Sequence, residues 1–244
     1  MDLPVGVNMA LRFGVKTDVG RKRTNNEDSY RIINDRGIFV IADGMGGHRG
    51  GEVASSIAVR MVCEHLQDIS KPIEEADLRE ALYAANGRIF QTALKDPSLY
   101  RMGTTAIVTV VRENKILIGH VGDSRVYRLR DGKLERITTD HSLVFQLVSE
   151  GKLTEAEAKE HPNRNALLRA IGVDRSVEVD CIVLDDFGDR LLMCTDGLTE
   201  MVEEDSIKAI LETHDDPQEA CDNLVALANE NGGIDNTTVI LITQ

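Results

Sequence analysis

Residues 104–137 read TTAIVTVVRENKILIGHVGDSRVYRLRDGKLERI, and the rest of the chain is laid out around this block. Thr104–Val111, Lys115–Val121, Val126–Leu129 and Lys133–Ile137 are short runs rich in Val, Ile and Leu, each with the composition of a strand. Asp131-Gly132 divides the last two with a dipeptide suited to a two-residue hairpin. Ahead of the block, Leu11–Val19, Asp28–Ile33 and Gly37–Ala42 are further strand candidates. Two helices then follow. The first begins after Gly50-Gly51, with Val53, Ala54, Ile57, Ala58, Met61, Val62 and Leu66 at 3.6-residue spacing; the second carries Leu78, Ala81, Leu82, Ala85 and Ile89. Behind the block, Val177–Leu184 and Arg190–Cys194 resume the strands. Two helices come next, the second bearing Cys221, Leu224, Val225 and Ala228, and Thr237–Thr243 closes the chain as a strand. Helices and strands in separate groups predict an α+β fold, with helices packed outside two antiparallel sheets. Without a repeat or a Pro/Ser-rich linker, residues 1–244 read as a single domain. The polar stretch from His141 to Gly172 interrupts the strands with short helical pieces, Val144–Glu150 and Thr154–Lys159, broken by Gly151 and Pro162. It reads as an inserted flap over one end of the sheets.

Composition narrows the chemistry. The 41 acids outnumber the 28 Lys and Arg, giving a formal charge of −13. Such a surface repels phosphate backbones, so a nucleic-acid partner, and with it a two-metal nuclease, is not expected. With 4% aromatic residues and no Trp, base-stacking platforms are not expected either. No apolar run approaches the roughly 18 residues that a membrane span needs. The N-terminal stretch lacks the basic-then-apolar pattern of a leader, which points to a cytoplasmic protein. Cys63, Cys181, Cys194 and Cys221 are widely spaced without a CxxC pair, as expected of buried reduced thiols.

Carboxylates recur where strands end. Asp43 closes FVIADGMGGH, Asp123 stands in IGHVGDSR, Asp196 in LLMCTDGL, and Asp235 in GGIDNTTV; Glu27 and Asp28 lie in RKRTNNED. Any one Asp-Gly or Gly-Asp is ordinary turn chemistry. Several behind buried strands differ, because the strand ends project into a shared region where clustered carboxylates repel unless cations lie between them. An all-oxygen set selects hard ions such as Mg²⁺ or Mn²⁺ over zinc, and Gly44 after Asp43 leaves a backbone carbonyl free to join as a ligand. Paired ions of this kind activate water for attack at phosphorus. Arg23, four residues before Glu27, suits a phosphate clamp.

At these residues the chain resembles the metal-dependent serine/threonine protein phosphatases of the PPM family, the protein phosphatase 2C type, in its compact bacterial form. RTNNED (23–28), ADGMGGH (42–48), GTT (103–105), GDSR (122–125), TTDHS (138–142), RAIG (169–172), CTDGL (194–198) and DNTT (235–238) occur in order over more than two hundred residues. The resemblance implies a four-layer αββα sandwich with a cleft at one end that binds two to three Mn²⁺ or Mg²⁺ ions. Asp43 would bridge two ions, with Asp196 and Asp235 on the first, and the Gly44 carbonyl and Glu27 (through water) on the second. Asp123 and Asp196 would take a weaker third ion, and Arg23 the substrate phosphate. The flap would span 141–164. Water activated by the metal pair would attack phosphoserine or phosphothreonine directly, without a phosphoenzyme. Implied partners are phosphorylated proteins, including a eukaryotic-like Ser/Thr kinase and its substrates, and a monomer is the expected state. The alternative is a pseudophosphatase, a metal-binding regulatory module, although such a protein usually lacks a core aspartate and here Asp43, Asp196 and Asp235 are all present.

One position departs from the pattern. Animal members carry His, the proposed general acid, where this chain has Met45, which has no proton to donate. His48 is a candidate substitute, although capping or packing at the helix start suits it better. His120 is expected as a hydrogen-bonded core histidine, His141 as a hydrogen-bonding hinge of the flap, and Cys194 as core packing.

Overall fold

The computed structural model describes residues 11–46, 49–112 and 115–244. In chain order the elements are β1 (Arg12–Asp18), β2 (Asp28–Ile33), β3 (Ile38–Met45), α1 (Gly50–Gln67), α2 (Glu75–Lys95), β4 (Gly103–Thr104), β5 (Ala106–Arg112), β6 (Lys115–Val121), β7 (Arg125–Arg130) and β8 (Lys133–Arg136). They continue with α3 (Leu143–Ser149), α4 (Glu155–Glu160), β9 (Asp180–Leu184), β10 (Arg190–Cys194), α5 (Asp196–Thr199), α6 (Glu204–Thr213), α7 (Pro217–Glu230) and β11 (Thr237–Thr243). One sheet runs β1-β11-β10-β7-β8; the other runs β2-β3-β5-β6-β9, with β4 attached to β3. Neighbouring strands pair antiparallel throughout.

Strand alternation sorts the side chains into layers. Ile38, Val40 and Ala42 of β3 face a core shared with Ala54, Ala58 and Val62 of α1 and Leu78, Leu82 and Ile89 of α2. Phe39 and Ile41 point the other way, into a core between the sheets with Ile107, Ile118, Met193, Ile240 and Ile242. Leu192, Val239 and Leu241 meet Ile207, Leu211, Leu224 and Val225 of α6 and α7 on the far side. Three cores separate four layers, helix–sheet–sheet–helix. Each fully buried Ile, Leu or Phe contributes about 1.5–3 kcal/mol of hydrophobic stabilisation. The fold is the expected α+β sandwich.

Local chemistry sets the boundaries. Asp131 and Gly132 both take positive φ, 49° and 69°, as the hairpin requires. The Asp77 carboxylate accepts from the Glu74 amide at 2.7 Å at the start of α2. Asp216 caps α7 by accepting from Glu219 N at 3.2 Å, with Pro217 in its first turn. Four expectations need correction. β3 runs through Met45 rather than stopping at Ala42, because Gly44 and Met45 pair with β4. β9 begins at Asp180, since only residues from there on face β6. Three helices, not two, precede β11, because Asp196 opens the extra short turn α5. Cys181 is half-buried, whereas Cys63, Cys194 and Cys221 are buried, and all four thiols are free.

Candidate metal centre

The same ends of both sheets open into a cleft of about 560 Å³. Arg23, Glu27, Asp43, Gly44, Asp123, Asp196 and Asp235, the residues singled out in the sequence, all line it, together with Lys22, Met45, Thr105, Asn165 and Leu167. A second cleft, of about 460 Å³ around Pro72, Arg112 and Lys115, is remote from these acids.

Asp43 is held by backbone and hydroxyls. Its amide donates to Thr105 Oγ1 at 3.0 Å, and its carbonyl accepts from Thr105 N and Thr104 Oγ1, both at 2.8 Å. Thr105 Oγ1 also lies 2.8 Å from Ser124 Oγ, so the GTT run ties the Asp43 strand to the Asp123 loop. Glu27 is fixed through Asn236, whose Oδ1 accepts from Glu27 N at 2.8 Å while Nδ2 donates to the carbonyls of Val19 and Asn25. Close approach demands glycine where β3 meets α1. A Cβ on Gly51 would lie 2.4 Å from Glu27 Oε2 and 2.7 Å from the Gly44 carbonyl oxygen, and one on Gly44 would lie 2.1 Å from the Gly51 carbonyl oxygen. Glu27 and the Gly44 carbonyl therefore converge on one spot.

The clustered acids raise one another's pKa values. Burial first, then Asp196, Asp28 and Asp123, hold the Asp43 carboxyl well above the carboxylate range. Asp196 is raised likewise, by burial and then by Asp123 and Glu200. Asp196 Oδ1 is buried without a partner. Asp123 is pushed up to about 6 by burial and Asp140. Arg23 donates to Asp235 Oδ2 at 2.6 Å. Burial works against its charge, but Asp235, Glu27 and Asp43 outweigh that and raise it.

Other residues belong to the site without having been assigned a role from sequence. Asp28 lies directly opposite Asp43 across the β2–β3 pair, a like-charge placement that is unfavourable in a bare sheet. Its Oδ2 accepts from Thr195 Oγ1 at 2.9 Å and Thr238 Oγ1 at 2.7 Å, its Oδ1 has no partner, and burial pushes its carboxyl up to about 7. The signal was present: a turn at Asn34–Gly37 pairs Ile33 with Ile38 and, counting outward, Asp28 with Asp43. Glu200, one helical turn beyond Asp196, is raised mainly by burial. Met45 ends β3 opposite Gly103, and His48 lies outside the described residues. His120 differs from expectation. Neither ring nitrogen has a hydrogen-bond partner, and burial, then the neighbouring His141, pushes it down to about 3. Burial raises Cys194 to about 12, which removes it as a nucleophile.

Among the described residues, no three His, Cys, Asp or Glu side chains already form a closed metal cage. The donors nonetheless fit hard divalent ions: they are all oxygen, one is an orphaned buried carboxylate atom, and two more converge where only glycine fits.

A family model described as protein phosphatase 2C matches residues 19–239. The chain belongs to the protein phosphatase 2C family. The serine/threonine phosphatase stp of Listeria monocytogenes is 39% identical over 237 residues, covering 94% of each chain. A crystal structure of the catalytic domain of PstP in complex with two manganese ions superposes with a TM-score of 0.87 at 35% identity, covering 96% of this chain and 97% of that one. Stp1 of Staphylococcus aureus gives 0.90 at 33% identity, covering 100% and 98%. These likenesses span the family's whole fold, so the resemblance of the motifs extends to the architecture that carries them.

Proposed function

We propose that this chain is a metal-dependent protein phosphatase acting on phosphoserine and phosphothreonine. The carrying observation is the gathering of Asp43, Asp123, Asp196 and Asp235 in one cleft, with Arg23 donating to Asp235 at 2.6 Å. Asp43 would be shared by two Mn²⁺ or Mg²⁺ ions, with Asp196 and Asp235 on one, and the Gly44 carbonyl and Glu27, through water, on the other. Asp123 with Asp196 would serve a third. When bound, such ions supply charge stabilisation at phosphorus and lower the pKa of water.

The chain's own groups do the rest. Arg23 offers a planar fork of donors to a phosphate. Thr104 and Thr105 hold the Asp43 backbone, and Asn236 holds Glu27, so the acidic groups enter the cleft from rigid strand ends. Residues 141–164 would act as a flap, a role supported by Asn165 and Leu167 lining the cleft just beyond them. Phosphorylated proteins are the substrates this implies, a eukaryotic-like kinase and its targets among them. Among the described residues no helix is long and apolar enough to cross a membrane. A pseudophosphatase is not favoured, because Asp43, Asp196 and Asp235 all reach the cleft.

The test is hydrolysis of a phosphothreonine peptide with and without Mn²⁺. Turnover with Mn²⁺ that EDTA abolishes is expected; no turnover with any divalent ion would overturn the proposal.

A further inference from the structure

His141 is buried at the base of the segment that follows β8, and its hydrogen bonds point in two directions. On one side it meets the loop that carries Asp123. Gly122 N–H donates to His141 Nδ1 at 3.1 Å, and His141 N–H donates back to the Gly122 carbonyl at 2.8 Å. Gly122 has φ +110°, and a Cβ there would lie 2.6 Å from the Thr105 side chain, so this loop has one way to turn. On the other side Nε2 lies 3.1 Å from Asp180 Oδ2, at the start of β9. Because Nδ1 accepts from Gly122, the proton sits on Nε2 and is donated to Asp180; Arg169 Nη1 also lies 3.3 Å from Nε2 but donates to Asp180 Oδ1 at the shorter 2.9 Å.

Asp180 also receives Arg169, at 2.9 Å to Oδ1, and Arg169 makes a second ion pair to Glu178 at 2.9 Å. Backbone bonds close the same neck: Leu168 N–H to the His141 carbonyl at 2.8 Å, and Leu143 N–H to the Ala166 carbonyl at 2.9 Å. His141 and Arg169, which bracket residues 142–168 of the inserted segment, thus meet at one carboxylate. The His141 ring rests on that of His120, centroids 4.7 Å apart and planes 33° apart. His120 stands opposite Asp180 on β6 and, held neutral by burial, offers the pair a flat uncharged backing.

We propose that His141 is a positioning residue that locks the neck of the inserted segment to the Asp123 loop, so that the flap and the Asp123 edge of the cleft are set together. This goes beyond the metal assignment but rests on it for its effect on ion binding. Each ring nitrogen has its own task, and the tasks can be separated. Asn at 141 can present an oxygen near the Nδ1 position and keep the Gly122 bond; Gln can present an amide N–H near the Nε2 position and keep the Asp180 bond.

The test uses hydrogen exchange, read by mass spectrometry on the full chain without divalent ions, over peptides 118–126 and 165–172 with 237–243 as reference. His141→Ala is expected to speed exchange about three- to tenfold in both test peptides and leave the reference unchanged. His141→Asn should restore protection of 118–126 only, and His141→Gln of 165–172 only. By electron paramagnetic resonance, Ala and Gln should weaken the lowest-affinity Mn²⁺ bound, whereas Asn should raise KM for a phosphopeptide more than it lowers kcat. Asn and Gln behaving alike, no change in either peptide, or equal loosening of the reference would overturn the proposal. Wild-type protein that turns over without Mn²⁺ would instead sink the metal assignment, and the exchange pattern would still decide the role of His141.

Discussion

Asp140, buried, and Asp196, half-buried with one buried oxygen, both act on Asp123, yet their surroundings are opposite. Asp140 sits between two arginines: Arg125 reaches it at 2.7 Å, with Arg125 Nε at 3.1 and 3.2 Å, and Arg136 at 2.5 Å. Its charge is matched within the fold. Asp196 instead shares the cleft with Asp43, Asp123 and Asp235, leaves an oxygen without a partner, and is pushed well above its ordinary value by burial and then by Asp123 and Glu200. A buried acid matched by arginine is a structural element; one left among other acids is poised for something the chain does not itself supply. The contrast separates acids that hold this molecule together from acids that serve its chemistry.

The widest gap between the two should appear on neutralising each. Asp43→Asn is expected to lower phosphopeptide turnover by about 10³-fold or more, equivalent to roughly 4 kcal/mol of transition-state stabilisation, while thermal stability does not fall. A loss of stability as large as the loss of activity would place Asp43 with Asp140. Asp140→Asn should do the reverse and destabilise by about 3 kcal/mol, because Arg125 and Arg136 lose their shared partner; chemical denaturation measures this. A stable, fully active variant would remove the distinction.

How much of this was legible beforehand follows the same division. Asp43, Asp123 and Asp196 could be found because each follows an apolar strand beside glycine, and Glu27 and Asp235 because each stands just ahead of a strand; the two-sheet sandwich followed from segregated helices and strands. Asp140 carries no such mark. Its arginines, Arg125 and Arg136, lie on β7 and β8, and only the folded hairpin shows that they converge. Asp28 was visible as a residue, but its place opposite Asp43 follows only from counting outward from the turn at Asn34–Gly37, not from the pattern of either strand. His120 misled because a histidine on a buried strand suggests a bonded one, whereas its neighbour's ring supplies a face and no acceptor.

A pH series sharpens the comparison further. Asp28, at about 7, and the raised Asp43 and Asp196 bind protons in the folded state that the unfolded chain, with carboxyls near 3.8, has already released. Stability in chelator should therefore fall as pH rises from about 4 to about 7, the opposite of what a salt-bridged acid produces. Asp196→Asn should flatten that fall, and added Mn²⁺ should offset it near neutrality. Thermal melts across the range would show this, and a rise of stability with pH in chelator would contradict it. The smallest effect is expected at Arg23, which lines the cleft beside Lys22. Arg23→Lys, which replaces a fork of donors by a point charge, should raise KM for a phosphopeptide about tenfold with the fold intact; an unchanged KM would free Arg23 from phosphate binding and leave it a partner of Asp235 alone.

Anomalous diffraction at the manganese edge from crystals soaked in Mn²⁺ tests the distinction most directly. The account predicts peaks between Asp43 and Asp196 and beside Asp235 and Glu27, with none at Asp140. Peaks absent from the cleft, or an ion seated at Asp140, would contradict it.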